Sequence, residues 1–590
     1  MRILSLFDKY LVISFIALIS IGIYVDKADW RTSSMIRGDA HGYCAYLASW
    51  VIYQDFTFEF YNDLEPALKE RYWLNQHENL KPFPKLTMGV AMLQLPSFLI
   101  AHWLAGMLGY AQDGWSVPYH FAIGFNGVLA FLLGLWFIQR LLLKRFSKVV
   151  THSTLLLVAF ATNALYYGVF DGAQSHIYSF MLVSIAMYGF DKWVCLGALK
   201  WLLAASLSFG FIVLIRPTNV ILIVLPIIYI INNKYLLSRI LSLNYVALLV
   251  AVILPMIPQF VIWKMMTGQW LFYSYGTEKI YWLHPHIWEG LFSYRNGWLT
   301  YTPVMIFALT GIWLLRKMDK NMMIALAIII PLHVYIVFSW WCWYYGSSLS
   351  IRPMIDFYPL LAFGLAAFIR WLLTKHFAIY PVIIGISVLL VINNSLQIQQ
   401  YSQSQLSGSD MTGDAFWTLF FNTDPPKNLK MLGMYSAPDT ERLLQGKDER
   451  TLRDTIIENE WLSGKESTIN KARQFGSEIR VPASEFDTPY DRIMHVMAIV
   501  KSTQVENYMA HLVISFDTDE ANYGYHTIEL HKVIQEKNEW MTVHAYLRKP
   551  QDLPEHGVLK AYGWYQKGDG KIEIKDLKVQ QLDCPYVEPL

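Results

Sequence analysis

Residues 86–110 read LTMGVAMLQLPSFLIAHWLAGMLGY. The stretch is apolar enough to cross a bilayer, whose hydrocarbon core of about 30 Å takes about 20 residues of helix. Whether it crosses sets the orientation of everything after it. Working outward, further apolar runs fall at 11–26, 118–139, 152–170, 177–195, 201–215, 218–232, 243–263, 302–315, 322–340, 354–372 and 379–396. Between them lie the basic clusters Arg2/Lys9, Arg140/Lys144/Arg145/Lys148, Lys192/Lys200, Lys234/Arg239, Arg316/Lys317/Lys320 and Arg370/Lys375. Loops rich in Lys and Arg stay on the cytoplasmic side, and all of these clusters share one side only if 86–110 does not cross. The segment is therefore expected to be an interfacial or re-entrant helix on the outer face, broken near Pro96.

The pattern predicts a polytopic α-helical membrane protein of about eleven spans, with its N-terminus inside and its C-terminus outside. The first apolar run has no small-x-small cleavage site before Asp26 and reads as an uncleaved span. The expected membrane domain is 1–400, with a long outer loop at 27–117. Beyond it, 401–480 is polar and reads as a partly helical connector, with the turn-forming DPP at 424–426 and a helix-like run at 449–475. Residues 481–590 carry short alternating runs, IMHVMAIVK, YMAHLVISF, TIELHKV, WMTVHAYLR, VLKAYGWYQ and IEIKDLKVQ, separated by turn residues. That is the pattern of a C-terminal all-β sandwich outside the membrane.

The formal net charge is +2, and no basic face of the kind a nucleic-acid backbone needs is present, so no nucleic-acid partner is expected. Four cysteines do not make a disulfide framework. A Cys44–Cys342 bridge is compatible with both lying in outer loops, and buried free thiols are the simpler expectation. With no ligand-like spacing, no metal or other cofactor is expected.

The outer loops hold the residues that membrane physics disfavours. They are Arg37-Gly38-Asp39-Ala40-His41-Gly42-Tyr43, Lys81-Pro82-Phe83-Pro84-Lys85, Asp171-Gly172-Ala173-Gln174-Ser175-His176, Arg216-Pro217, Tyr275-Gly276-Thr277-Glu278, Tyr294-Arg295-Asn296-Gly297, and Trp340-Trp341-Cys342-Trp343 with Arg352-Pro353 beyond. Singly, each Arg or Lys reads as a snorkelling or headgroup-binding residue, Asp39 as a helix cap, and the tryptophans as an interfacial belt. Jointly they run against the positive-inside bias, and ionisable groups at span ends are costly unless used. Several cations around one or two carboxylates suit a reaction with a phosphate leaving group and a hydroxyl activated by a general base.

These residues resemble the glycosyltransferase-C superfamily, and within it the protein O-mannosyltransferase and aminoarabinose-transferase group. The resemblance rests on an Asp soon after the first span (Asp39), a Lys-x-x-x-Gly pattern opening an outer helix (Lys85-Leu-Thr-Met-Gly89), a second Asp at a later span end (Asp171), the stretch from Leu291-Phe292-Ser293 to Pro303, and the Trp-rich loop leading to Arg352-Pro353. It covers most of 1–400. It implies an enzyme of a bacterial inner membrane, with a periplasmic C-terminal domain, that moves a sugar from a polyprenyl-phosphate donor to an acceptor hydroxyl with inversion. The acceptor is a protein, lipid or polysaccharide, and membrane lipids surround the chain. Asp39 is then the general base; Lys85, Arg216, Arg295 and Arg352 meet the donor phosphate; His41, Tyr43, Asp171, His176, Tyr275, Glu278, Trp340 and Trp343 contact sugar or acceptor. Mannosyltransferases of the group carry Asp-Glu at the first motif, whereas Ala40 follows Asp39 here, so the sugar and acceptor are left open and no metal is implied. The C-terminal sandwich also resembles carbohydrate-binding jelly rolls, with Trp540 and Trp564 as a sugar platform or as buried core residues, and with Asp576 shaping a turn. The rival reading is a transporter or flippase of a lipid-linked sugar, although no internal repeat is evident.

Overall fold

The computed structural model describes residues 2–425 and 456–583, apart from 33, 78–79, 242–244, 277, 279, 284, 347, 377–378, 409–410, 412, 486–492, 506–507, 519–521, 535 and 549–555. The chain divides into two compact units, Met1–Ser409 and Asp410–Leu590.

Numbering the described helices of eight residues or more in the first unit, α1 is Arg2–Lys27, α2 Ala40–Ala48, α3 Gly89–Met107, α4 Val117–Leu142, α5 Lys148–Phe160, α6 Ser175–Leu196 and α7 Leu199–Ile215. They are followed by α8 (Val224–Ile231), α9 (Lys234–Leu241), the helical run α10 (Val246–Thr267), α11 (Val304–Leu314), α12 (Lys320–Phe338), α13 (Tyr358–Leu372) and α14 (Tyr380–Ser402). Among the described residues, eight helices are long and apolar enough to cross a membrane, or nine if Pro217–Ile231 and Lys234–Leu241, bent by 112°, form one broken span. Several segments expected as single spans are interrupted. The expected span 152–170 stops at Phe160, where Asn394 donates to the carbonyls of Phe160 and Thr162, and resumes only as the wide turn Tyr166–Phe170. Side-chain amides satisfying backbone carbonyls let a helix end inside an apolar environment. Pro217 ends α7 by a different route, forcing Arg216 into an extended conformation (φ −144°, ψ 98°).

Residues 89–107 form one continuous helix through Pro96, so the expected break does not occur. A proline in a helix interior removes one backbone hydrogen bond, and here the helix tolerates that loss without ending. The helix is long enough to span. Its buried face, Val90, Ala91, Gln94, Phe98, Ala101 and Ala105, belongs largely to a core shared with the loop before it. That core includes Tyr46, Phe58, Tyr72, Phe83 and Tyr119. The strands β1 (Leu74–His77) and β2 (Leu80–Pro84) make a small antiparallel hairpin over it.

In the second unit two antiparallel sheets share one apolar core. One has the order β5-β10-β7-β8 (Phe475–Pro482, Val558–Gly568, Tyr508–Asp517, Asn522–Glu529). The other has the order β3-β11-β6-β9 (Ile456–Leu462, Ile572–Asp583, Ile493–Ser502, Met541–Arg548), with β4 (Ser467–Ile469) on the β11 strand. Leu512, Ile514, Leu559 and Ala561 of one sheet face Met494, Val496, Val500 and Val579 of the other, as the alternating runs require. The sandwich begins earlier than 481: β3, β4 and β5 occupy the segment expected as connector, and 456–475 is strand and turn rather than helix. The charged run IIENEWL hides a strand because Asn459, Glu460 and Leu462 are all exposed, so the alternation of a half-buried strand is missing there. Trp540 and Trp564 do not form one platform. Trp540 packs against Lys501 and Lys575 outside the second sheet, and Trp564 stacks on His511 outside the first. Asp576 sits at a bulge in β11 in the left-handed region (φ 51°).

Candidate functional site

Gly38 (φ 55°) turns the chain out of the first loop so that Asp39 opens α2. The Asp39 carboxylate does not cap the helix. Instead its Oδ2 lies 3.1 Å from Nη2 of Arg352, with 30% of the Asp39 side chain exposed against 16% of Arg352. Nη1 of Arg352 donates to Gln174 Oε1 at 3.5 Å, and its buried Nε has no partner. An unsatisfied buried cationic N–H is costly, and it points to an acceptor that completes the site.

Gln174 links this pair to a second one. It donates to Asp171 Oδ1 and to the Arg37 carbonyl, while Arg37 lies 3.5 Å from Asp171 and donates to the Tyr166 hydroxyl and the Phe170 carbonyl. Burial raises the Asp171 carboxyl above its ordinary range, and Arg37 and Arg352 pull it back. The loop carrying Asp171 is held by backbone contact: a Cβ on Gly127 of α4 would fall 2.2 Å from Gly172.

A third pair lies deeper. Nη1 of Arg216 donates to His176 Nε2 at 2.9 Å, and since a guanidinium only donates, the His176 proton sits on Nδ1, which donates to Asp356 Oδ1 at 2.9 Å. Asn219 donates to Asp356 Oδ2 at 2.6 Å. Both His176 and Asp356 are fully buried. This neutral-histidine relay fixes the guanidinium of Arg216, which also reaches Ser175.

Tyr275 ties on the fourth pair. Lys85 bonds Glu278 and lies 5.1 Å from the Tyr275 ring. Arg216 and Asp39 both act on the Tyr275 hydroxyl, which burial pushes up to about 12. Trp340 meets that ring edge-on at 5.6 Å. Tyr43, one turn after Asp39 on α2, has its hydroxyl within reach of Ser175, and the charges of Asp39 and Arg216 both act on it. The Lys-x-x-x-Gly pattern has a steric basis: a Cβ on Gly89 would fall 2.6 Å from Ile215, so the start of α3 closes on the end of α7 just before Arg216.

Of the residues singled out from the sequence, Asp39, Tyr43, Lys85, Asp171, His176, Arg216, Tyr275, Glu278, Trp340 and Arg352 therefore gather at one end of the bundle. Arg295 lies over the Tyr344 ring at 3.7 Å and, with Arg352, acts on the Cys342 thiol. Two residues are placed otherwise. Trp343 is 3% exposed, packed against His286 and Tyr344, and presents no face to a ligand. His41 turns to the other side of α2, toward Arg71, Trp73 and Trp115. Asp356, Asn219 and the pairing of Arg37 were missed; an Asp inside the apolar run 354–372 was the available signal. Cys44, Cys195 and Cys342 are free thiols, and Cys584 lies outside the described residues. Among the described residues no three His, Cys, Asp or Glu side chains are grouped to hold a metal ion.

An apolar cavity of about 570 Å³ lies between α6, α7, α10 and the segment 217–231. Its lining includes Ile212 and Leu360, each one helical turn from Arg216 and Asp356 respectively. Compared with known proteins, the chain matches no family model and no curated protein.

Proposed function

We propose that this chain is a membrane glycosyltransferase that moves a sugar from a polyprenyl-phosphate donor to an acceptor hydroxyl, with inversion. The observation that carries the reading is the Asp39–Arg352 contact, in which a partly exposed carboxylate stands beside a guanidinium whose Nε is still unsatisfied. In this mechanism Asp39 takes the proton of the acceptor hydroxyl as its oxygen attacks the anomeric carbon. The bond to the donor phosphate breaks, and the phosphate goes from one negative charge as a diester to two as a monoester. Arg352 and Arg216 meet that added charge, so their contribution is larger in the transition state than in the ground state. The His176–Asp356 relay positions Arg216 rather than transferring protons. The apolar cavity one turn from Arg216 suits the hydrocarbon tail of such a donor.

The reaction face would be extracytoplasmic, opposite the basic clusters. A cysteine at Gln112 should be labelled by an impermeant reagent from outside and one at Lys144 should be protected; the reverse pattern would sink the orientation. The activity itself is tested by mass spectrometry of envelope glycoproteins and glycolipids with and without the chain, followed by the purified protein with polyprenyl-phosphate sugars. A hexose or pentose increment that depends on the chain supports the reading. Movement of intact lipid-linked sugar across vesicles, with no transfer, would support the transporter or flippase reading instead.

A further inference from the structure

On the far side of α2 from Asp39 stands a second constellation that the proposed chemistry does not use. The His41 ring stacks on Trp73 (centroids 5.2 Å, planes 9° apart) and leans on Trp115 at 5.5 Å. Its Nδ1 donates to the Arg71 carbonyl at 3.0 Å, and burial lowers its basicity, so the imidazole is held as a neutral, oriented plate. Arg71 lies over the Trp115 ring at 5.5 Å and pairs with Asp113 Oδ2 at 3.3 Å. Asp113 is itself fixed, because its Oδ1 accepts from the backbone N–H groups of Trp115 and Ser116. Trp73 nevertheless remains 56% exposed.

Beneath Trp115 the ring of His120 meets it edge-on at 5.2 Å. His120 is fully buried, and neither ring nitrogen has a hydrogen-bond partner. Bare buried nitrogens cost about 1–3 kcal/mol each, which an interfacial aromatic belt gives no reason to bear. A rigid aromatic plate open on one face and rimmed by a charged donor–acceptor pair is suited to a ring with an apolar C–H face and hydroxyls at its edge. That is the chemistry of a pyranose.

We infer that Trp73, His41, Trp115 and the Arg71–Asp113 pair form a saccharide subsite, and that the acceptor is therefore a glycan of two or more sugar residues. This rests on the transferase reading for the word acceptor, while the binding itself does not. Asp39 and His41 are two residues apart, about 200° around the helix, so one ring cannot occupy both places. A chain of sugars wrapping the start of α2 can put its reacting hydroxyl at Asp39 and a neighbouring ring on Trp73.

The test is saturation-transfer difference NMR on the full-length protein in detergent, with methyl glycosides of glucose, galactose, mannose and N-acetylglucosamine and with their homodisaccharides. The expected result is transfer to the C–H face of at least one disaccharide, retained in Asp39→Asn, weakened about ten-fold in Trp73→Ala and partly restored in Trp73→Phe. Trp73 is exposed, so the Ala variant should keep the wild-type melting curve. No saturation transfer from any sugar of the panel, or transfer indifferent to Trp73→Ala, would overturn the subsite. So would a tryptophan fluorescence response to phosphatidylglycerol nanodiscs that is lost in Trp73→Ala, with no response to the sugars, which would make Trp73 a membrane anchor. Binding that survives alongside normal transfer by Asp39→Asn would instead remove the base and leave the subsite standing.

Discussion

The two ends of the helical unit hold similar inventories of charge and put them to opposite uses. At one end Arg145 joins Asp191 and Asp319, Lys144 bonds Asp191, and Tyr229 donates to Asp319. At the other, Arg37, Arg216 and Arg352 face Asp171, Asp356 and Asp39. About 22 Å of α6, from His176 to Asp191, separates them. The first cluster closes on itself around a cavity of only about 40 Å³, tying α4, α6, α8 and α12 together. The second leaves Asp39 partly open and Arg352 one hydrogen bond short. Ion pairs that satisfy each other make a clamp; ion pairs left incomplete beside solvent make a site.

The largest expected difference between the ends is in turnover. Asp39→Asn should reduce transfer by about 10²–10⁴-fold, the range of general-base catalysis, with donor binding little changed. Asp191→Asn should leave turnover within a few-fold and lower the melting temperature instead. Equal loss of turnover in both variants would erase the distinction.

Next is stability. Asp356→Ala strands His176 and Arg216 in a buried setting and should cost about 3–5 kcal/mol, whereas Asp191, 11% exposed, should cost less when truncated. Denaturation in detergent, followed by helicity, ranks the two. Donor use should come third: Arg352→Gln should lower kcat/KM for the donor by about one to two decades, chiefly through kcat, with a smaller effect for Arg295→Gln, whose guanidinium rests on Tyr344. Unchanged donor dependence in Lys85, Arg216, Arg295 and Arg352 variants alike would contradict a phosphate leaving group.

The smallest effect lies in the sandwich. His495 donates through Nδ1 to Gln580 and accepts through Nε2 from His544, and burial lowers it from 6.5 to about 4. A histidine depressed in the folded state is protonated more readily when unfolded. Stability is therefore fully present above pH about 6.5 and falls as pH drops toward 4, by on the order of 2 kcal/mol. His495→Gln should flatten the dependence of the second unit's melting temperature on pH across that window.

The sequence made the apolar helices, the six strands from 493 onward and most of the Asp39 end legible, because each rests on a local signal: apolar length, two-residue alternation, or a charge where a span ends. What escaped depended on partners far along the chain. Whether 152–170 stayed one helix was decided by Asn394, and the role of Asp356 by His176 and Asn219. His41 and Asp39 sit in one short motif, yet helical rotation sends them to different neighbours. The strands at 456–482 escaped because their outer faces are charged enough to pass for a solvated helix.

The contact of Gly127 with Gly172 has a mechanical consequence. Where two backbones touch, the gap between them is set by what is missing, and a single methyl group at either position acts as a shim. Gly127→Ala would lift the loop bearing Asp171 and Gln174 away from Arg37 and Arg352 without altering any charged residue. The alignment of the Asp39 end is thus governed by a spacer of zero thickness in the helix packing, and it can be detuned from a position that carries no charge.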